Sequence, residues 1–224
     1  GLTVNASARV RIRDTRYRLQ TVFSGSAGIM KAPIPPYEKE RLKALHELDI
    51  LDTPAEASLD RITRLVARVL DVPIALVSLV DQDRQWFKSR TGLEASETPR
   101  DMAFCAHAIL QTTPLVVPDT AHDERFCDNP LVTGAPHFRF YAGVQIRTSS
   151  GFAVGTLCAI DDRPRELTQE EMDILRDLAD VIRRVFRRGL PQVTVEVTLG
   201  ENVTTVTTDR DGYFDVLLPI EHPL

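Results

Sequence analysis

The sequence predicts an α+β domain that is followed by a short segment of β-structure. Two observations support this prediction. Residues 59–70 and 172–186 place apolar side chains at helical spacing, which is typical of helices with one buried face. Residues 74–89 and 139–161 each read as two strand-length segments separated by turn residues, which is typical of antiparallel hairpins.

The first predicted elements are two helices. Residues 38–49 carry leucines on one side, and residues 59–70 carry a longer apolar stripe that ends at Asp71-Val72-Pro73. The stripe of the second helix consists of Leu59, Ile62, Leu65, Val66, Val69 and Leu70.

The middle of the chain alternates between strands and connections. Residues 74–80 are nearly all apolar, interrupted by Ser78, and indicate a strand buried on both faces, with residues 85–89 as its hairpin partner. Residues 100–111 predict a short helix and 115–118 a brief strand. Residues 119–134 form a long polar loop with one helical turn, and strands at 139–148 and 153–161 flank the turn Ser149-Ser150-Gly151.

The last helix of this unit begins at a capping box, Thr168 to Glu171, and we expect Gly189 to end it. One face carries the stripe Leu175, Leu178, Ile182 and Phe186. Met172, Val181 and Val185 lie beside that stripe and lack an obvious partner. Because symmetric dimers are the commonest soluble oligomers, these extra apolar residues predict a homodimer through the terminal helices.

Three segments follow from this pattern. Residues 1–36 are a basic lead-in and linker, in which residues 9–22 predict a short strand pair. Residues 37–188 are the α+β domain. Residues 190–224 contain three strand-like runs that cannot close a core alone, and we expect an incomplete β-sandwich there.

Composition excludes several classes of protein. The net charge of −5 gives no reason to expect nucleic-acid binding, although the lead-in itself is basic. No run approaches the ~20 apolar residues that span a bilayer, so we expect no membrane insertion. The three cysteines are an odd number without a framework spacing, which fits a cytoplasmic location.

Several motifs resemble a bacterial GAF domain. They are residues 50–54 (ILDTP), 73–86 (PIALVSLVDQDRQW), 104–109 (FCAHAI), 129–134 (NPLVTG), 139–143 (RFYAG) and 155–161 (GTLCAID). The resemblance covers roughly residues 36–188. It implies a central antiparallel sheet flanked by helices, with the terminal helices on one face and a small-molecule pocket on the other.

The C-terminal residues 208–214 (TDRDGYF) resemble a turn of carboxypeptidase-regulatory-like and transthyretin-like β-sandwiches. They are also similar to the β-rich start of phosphatidate phosphatases. The acidic catalytic motif of those phosphatases is not found in this sequence, so no catalysis is implied.

Cys105 and His107 are the most conspicuous chemical groups. Residues i and i+2 of a helix point about 200° apart, so a shared metal ion is disfavoured. Cys105 is interpreted as a small core residue, with a redox-sensitive or ligand-contacting thiol as the alternative. His107 either faces the pocket or is a satisfied core or surface histidine. Cys158, on a buried strand, is interpreted as packing, and Cys127 as exposed.

The 119–134 loop is interpreted as a lid over the pocket, because long loops without regular structure are usually functional or disordered. Arg139 and Tyr141 alternate on a strand and can point the same way, holding an acidic group and a ring. Otherwise they are a surface arginine and a rim tyrosine. The residues expected to bind ligand are Phe104, Cys105, His107, Asp119, Phe126, Asn129, Arg139, Tyr141 and Cys158.

These observations predict a regulatory sensor domain that couples a small-molecule ligand to its terminal helices and a downstream output domain. The absence of nucleophile-elbow, phosphate-loop and CxxC motifs argues against an enzyme. No cofactor is identified. The alternatives are a thiol redox sensor or reductase using Cys105 and Cys158, the regulatory part of a shortened phosphatidate-phosphatase-like protein, and a dimerisation module without a ligand.

Overall fold

The computed structural model describes residues 30–186 and, beyond them, the backbone of three strands between residues 194 and 216. The first helices are α1 (Glu38–His46) and α2 (Ala57–Val69). Strand β1 (Ile74–Val80) pairs with β2 (Arg84–Thr91) in the predicted hairpin. The hydrophobic spacing therefore located these four elements to within a few residues.

The helix predicted at residues 100–111 is divided in two. A short strand, β3 (Glu97–Pro99), leads into a 3-10 turn (Arg100–Met102), and α3 (Phe104–Ala108) follows. Ala103 separates the turn from α3 because its backbone is extended, with φ −80° and ψ 118°. Strand β3 was missed because three residues are too few to show a period.

The later elements follow the predicted order. Strand β4 (Leu115–Val117) precedes the 119–134 loop, which contains a 3-10 turn (Thr120–His122) and α4 (Pro130–Thr133). Strands β5 (Phe140–Arg147) and β6 (Ala153–Asp161) form the second hairpin. Helix α5 (Gln169–Val185) begins at the capping box, in which Thr168 and Glu171 bond each other's backbone amides.

The six strands form one antiparallel sheet in the order β3-β2-β1-β6-β5-β4. Because side chains alternate across a strand, the sheet has two apolar faces. The first face packs against α1, α2 and α5, and its cluster includes Val77 and Leu157. The second face, which includes Leu76 and Cys158, is covered by α3, α4 and the loops beside them. The domain is therefore α+β, with long helices on one side only.

The apolar residues that led us to predict a dimer pack within the domain. Met172 and Val181 are 8% and 2% exposed and belong to the first-face core, and Val185 packs at its edge. The prediction that these side chains need a partner chain is wrong, because α5 turns a wide apolar face toward the sheet and its neighbouring helices. The oligomeric state itself stays a prediction.

Residues 30–36 do not behave as a free lead-in. The carbonyl of Met30 accepts a hydrogen bond from His107, Lys31 pairs with Asp101, and Ala32 packs against the second-face core. The predicted strand pair at residues 9–22 and the glycine cap at Gly189 lie outside the described residues.

The C-terminal strands are β7 (Thr194–Leu199), β8 (Asn202–Thr208) and β9 (Phe214–Val216). They form a separate antiparallel sheet in the order β7-β8-β9. Within the residues that the structure describes, no helix is long and apolar enough to cross a membrane.

Candidate functional site

The second face of the sheet is the candidate site because short elements cover it. Strand β1 presents Ser78 there, β6 presents Thr156 and Cys158, and β5 presents Tyr141. Helix α3 lies over these strands and adds Cys105. Polar groups from three strands and a helix therefore meet in an otherwise apolar layer.

The thiol of Cys105 is the centre of this polar group. Its Sγ lies 3.9 Å from the Sγ of Cys158, and it accepts hydrogen bonds from the hydroxyls of Thr156 at 3.0 Å and Tyr141 at 3.3 Å. Both cysteines are free and buried. The structure therefore brings together Cys105, Cys158 and Tyr141, which sequence analysis had considered one by one.

The hydrogen bonds change the acidity of the two thiols. Burial raises the pKa of Cys105, but hydrogen bonds from Cys158, Thr156 and Tyr141 outweigh it and lower the pKa to about 7. The pKa of Cys158 is raised by its bond to Cys105, by burial and by the neighbouring negative charge. Burial and the adjacent thiols also raise the pKa of Tyr141. Cys105 is thus the thiol that ionises first.

A glycine makes room for the tyrosine hydroxyl. Tyr141 and Gly143 point to the same face of β5, and a Cβ at Gly143 would lie 2.2 Å from the hydroxyl oxygen of Tyr141. Any larger residue would displace the hydroxyl from Cys105. The RFYAG motif therefore positions a donor on the Cys105 thiol.

Aromatic rings close the site on its outer side. Phe104 of α3 stacks on Phe126 of the loop with ring centroids 4.2 Å apart, and Tyr141 and Phe138 pack around Phe104. Phe126 is 1% exposed although it lies in a loop. The 119–134 loop is therefore a packed cover in this conformation, anchored by one aromatic side chain.

His107 lies at the edge of this cover. Its ring meets Phe126 edge-on at 4.9 Å, and Nε2 donates to the carbonyl of Met30 at 3.1 Å. Burial lowers the pKa of His107 and Arg125 lowers it further, while the bond to Met30 and the charge of Asp123 oppose this. His107 is thus a neutral hydrogen-bond donor to the segment that precedes α1.

Asn129 has a structural role in the loop. Its Oδ1 caps α4 by accepting from Leu131 at 3.0 Å, and its Nδ2 donates to the carbonyl of Met102 at 3.0 Å. Asp119 and Arg139 form a bidentate ion pair at 2.8 Å. Arg139 is held by Asp119, whereas Tyr141 is a buried partner of Cys105 and not a rim residue, so the two side chains do not form one site in this structure. Their role in binding a ligand stays a prediction.

A small cavity lies beside Cys105. Its volume is about 20 Å³, which suffices for one water molecule, and its lining includes Leu76, Phe87 and Phe138. Two buried polar atoms in its walls, Oε1 of Gln85 and Oγ1 of Thr98, have no hydrogen-bond partner, and the nearby Oγ of Ser78 has none either. Gln85, Thr98 and Ser78 were not among the residues expected from the sequence. The available signal was a polar side chain within apolar strands, which Ser78 shows clearly.

The family model for the GAF domain matches residues 54–185. The chain belongs to the GAF domain family. The match covers both hairpins, the sheet residues of the second-face site and all of α5, so the resemblance found in the sequence motifs is confirmed.

A curated relative and a solved structure agree with this assignment. The chain is 38% identical over 151 residues to a cyclic di-GMP phosphodiesterase of Pseudomonas aeruginosa, and this stretch is 67% of the chain. The chain spans 26% of the length of that relative. The GAF domain of an Acinetobacter phosphoenolpyruvate-protein phosphotransferase shares the fold, with 16% identity, a TM-score of 0.50, and coverage of 67% of this chain and 94% of that one.

These matches concern the GAF domain. The resemblance of residues 208–214 to β-sandwich and phosphatidate phosphatase segments is not borne out. The GAF family is one of signalling sensor domains, which supports a regulatory role in general terms.

Proposed function

We propose that this GAF domain is a regulatory sensor that binds a small uncharged ligand between the second face of the sheet and the 119–134 loop. The observation that carries the proposal is the pair of unpartnered polar atoms beside the cavity, the amide oxygen of Gln85 and the hydroxyl of Thr98. A buried polar atom without a partner costs about 1–3 kcal/mol. A ligand that bonds to both atoms would recover this energy.

The lining of the cavity indicates the chemistry of the ligand. It contains three phenylalanines, one tyrosine and aliphatic side chains, and no Lys, Arg, His, Asp or Glu. A charged molecule placed there would lose its hydration and meet no permanently charged side chain, and an anion would also be repelled by the Cys105 thiolate. We therefore expect an uncharged molecule with an apolar part and at least one donor, such as an amide or a neutral heterocycle.

Binding has to move the cover. The cavity admits one water molecule, so a larger ligand has to separate Phe126 from Phe104 and push the loop outward. The same strands carry the pocket on one face and α2 and α5 on the other. A shift of β1 or β6 would then reach α5, which leads toward the rest of the chain.

The coupling implies a partner. We infer that α5 transmits the change to an output domain, as the relation to a much longer phosphodiesterase suggests. The domain itself would be regulatory and not catalytic. The three free cysteines agree with a cytoplasmic location. A dimerisation module without a ligand is less well supported, because the apolar residues that suggested it are buried within the domain.

The test is a binding screen with a matched pair of variants. Uncharged amides, lactams and heterocycles are compared with nucleotides and organic acids by thermal shift, and binding is confirmed by native mass spectrometry. A ligand at 100 times its dissociation constant should add about 2.7 kcal/mol to stability.

Gln85→Leu removes the unpartnered acceptor, so it should abolish binding without destabilising the free protein. Gln82→Leu, at an exposed position, is the control and should still bind. Binding confined to anions, or retained by Gln85→Leu, would refute the proposed site.

A further inference from the structure

The buried thiols of Cys105 and Cys158 form a pair that the sensor function does not require. Their sulfur atoms are 3.9 Å apart, whereas a disulfide bond is about 2.05 Å long. An approach of about 1.9 Å would close the bond. The two residues lie on different elements, α3 and β6, so a bond between them would fix the cover to the sheet.

We propose that Cys105 and Cys158 are an oxidisable pair, in which a peroxide converts the Cys105 thiolate to a sulfenic acid and Cys158 then closes a reversible disulfide. This inference goes beyond ligand binding and does not depend on it. It assigns the two cysteines a chemical role as a modification site on the second face.

The contacts of Cys105 suit the first step. Thr156 and Tyr141 donate hydrogen bonds to its sulfur, and such donors stabilise the thiolate, which is the nucleophile. The pKa of the Cys105 thiol, lowered to about 7 by its donors against the effect of burial, agrees with this role. Cys158 lies beside it as the resolving thiol. Cys105 also lines the cavity, so a peroxide that enters when the cover opens reaches its sulfur.

The steps balance. The Cys105 thiolate attacks one oxygen of hydrogen peroxide, the O–O bond breaks, and the released hydroxide takes up a proton to form water. Loss of the negative charge on Cys105 removes one cause of the raised pKa of Cys158, which favours its ionisation. The Cys158 thiolate then attacks the sulfenic sulfur, the S–S bond forms, and the departing hydroxide becomes a second water. Two thiols are oxidised and one peroxide is reduced.

The bond would act on the cover of the pocket. Helix α3 carries Phe104, which stacks on Phe126 of the loop, and His107, which holds the segment before α1. Drawing Cys105 toward β6 moves both contacts. The oxidised protein should therefore differ from the reduced protein in the amide exchange of residues 119–134.

The experiment uses the full chain with the exposed Cys127 replaced by Ser, since that thiol would otherwise react between molecules. The folded protein is treated with hydrogen peroxide, then denatured and alkylated. A loss of 2 Da, resistance to alkylation and a peptide linking Cys105 to Cys158 are expected, with full reversal by dithiothreitol. Two alkylatable thiols, or irreversible oxidation of Cys105 without a link, would overturn the proposal.

Variants assign the order of events. In Cys158→Ser we expect a sulfenic acid at Cys105 that a dimedone probe captures, whereas Cys105→Ser should give no product at Cys158. A dimedone adduct at Cys158 would show that Cys158 is the thiol that reacts with peroxide, and would overturn the proposal. Thr156→Val removes one donor at nearly constant volume and should slow oxidation several-fold at neutral pH. Thr63→Val, a buried change on α2 with no contact to either cysteine, should not.

Discussion

Arg139 holds the carboxylate of Asp119 through two hydrogen bonds of 2.8 Å, one from Nε and one from a terminal nitrogen. This pair joins the first residue of the 119–134 loop to the residue that precedes β5. The Asp119 side chain also accepts from the amide of Ala121 and so caps the 3-10 turn. The ion pair is therefore an anchor at the base of the cover, and the arginine is not free to hold a ligand.

Arg139→Gln should loosen the loop without unfolding the domain. The pair is partly exposed, so its contribution to global stability is small. We expect faster amide hydrogen exchange in residues 119–134 and a minor change in melting temperature. Arg125→Gln is the control, because Arg125 bonds Asp123 within the same loop and does not tie it to the sheet. Equal exchange in both variants would contradict the anchor.

The same pair has a pH dependence with a defined sign. Hydrogen bonds from Arg139, assisted by His122 and Ala121 and opposed by burial, hold the pKa of Asp119 well below its usual value of 3.8. The unfolded chain therefore takes up the proton first as the pH falls, and the stabilisation is lost. The difference in melting temperature between the natural sequence and Arg139→Gln should narrow as the pH falls below about 4.

Because of His107, we expect the stability of the domain to depend on pH near neutrality as well. Its pKa is lowered chiefly by burial, so the unfolded chain binds the proton at a higher pH than the folded one. Stability should decline as the pH falls below the usual histidine pKa of 6.5. His107→Gln keeps a donor for the carbonyl of Met30 and removes the ionisation, so its stability should decline less.

Urea denaturation at several pH values between about 7.5 and 5.5 checks this. His137→Asn, at an exposed position with a positive φ that Asn tolerates, is the control. It should follow the natural sequence. Parallel curves for all three proteins would refute the role of His107.

The buried ammonium of Lys88 stabilises the connection between α1 and α2. Its side chain is fully buried, and its ammonium contacts Oγ1 of Thr53 at 2.7 Å, the carbonyl of Pro54 at 2.9 Å and the carboxylate of Glu56 at 2.7 Å. Lys88→Met removes all three contacts of the ammonium, although water can reach the acceptors because they lie near the surface. We therefore expect the free energy of unfolding, measured by urea denaturation, to fall by about 1–3 kcal/mol.

Lys43→Met, an exposed lysine on α1, should change stability by less than about 0.5 kcal/mol. Similar losses in both variants would show that the buried ammonium contributes nothing specific. The two residues differ in burial and in hydrogen bonding, so the comparison isolates the network around Lys88.

The sequence predicted those helices and strands that are long enough to show a repeating pattern of apolar residues. Helix α2 shows about three turns of apolar stripe, and β1 is an unbroken apolar run apart from Ser78, so both were located correctly. The GAF motifs then supplied the two-faced arrangement that periodicity alone does not give. Strand β3 and the break at Ala103 were missed because elements of three residues carry no period.

The site was predictable only in part. Cys105, Cys158 and Tyr141 were each selected, but the distance between the two thiols depends on how α3 lies across β6, which no local pattern encodes. Arg139 was assigned to the pocket because it alternates with Tyr141. In the structure it forms an ion pair with the carboxylate of Asp119 instead. Gln85 and Thr98 became visible only when β2 and β3 were paired.

The last prediction concerns the face of α5 that first suggested a dimer. Val181 is 2% exposed and packs in the first-face core, so Val181→Glu buries a carboxylate without a partner. We expect a loss of about 3–5 kcal/mol in the free energy of unfolding, a large part of the stability of a domain of this size. Arg184→Glu places a carboxylate at an exposed position of the same helix; it changes the net charge by −2 and loses a favourable charge in the last turn, yet it should cost less than about 1 kcal/mol.

Circular dichroism and light scattering at two protein concentrations distinguish this core role from an interface role. A core residue gives the same destabilisation at both concentrations and whatever the oligomeric state of the parent protein. An interface residue would instead give a folded Val181→Glu protein of lower mass whose stability no longer depends on concentration. That second result would place Val181 in a dimer interface and contradict its assignment to the first-face core.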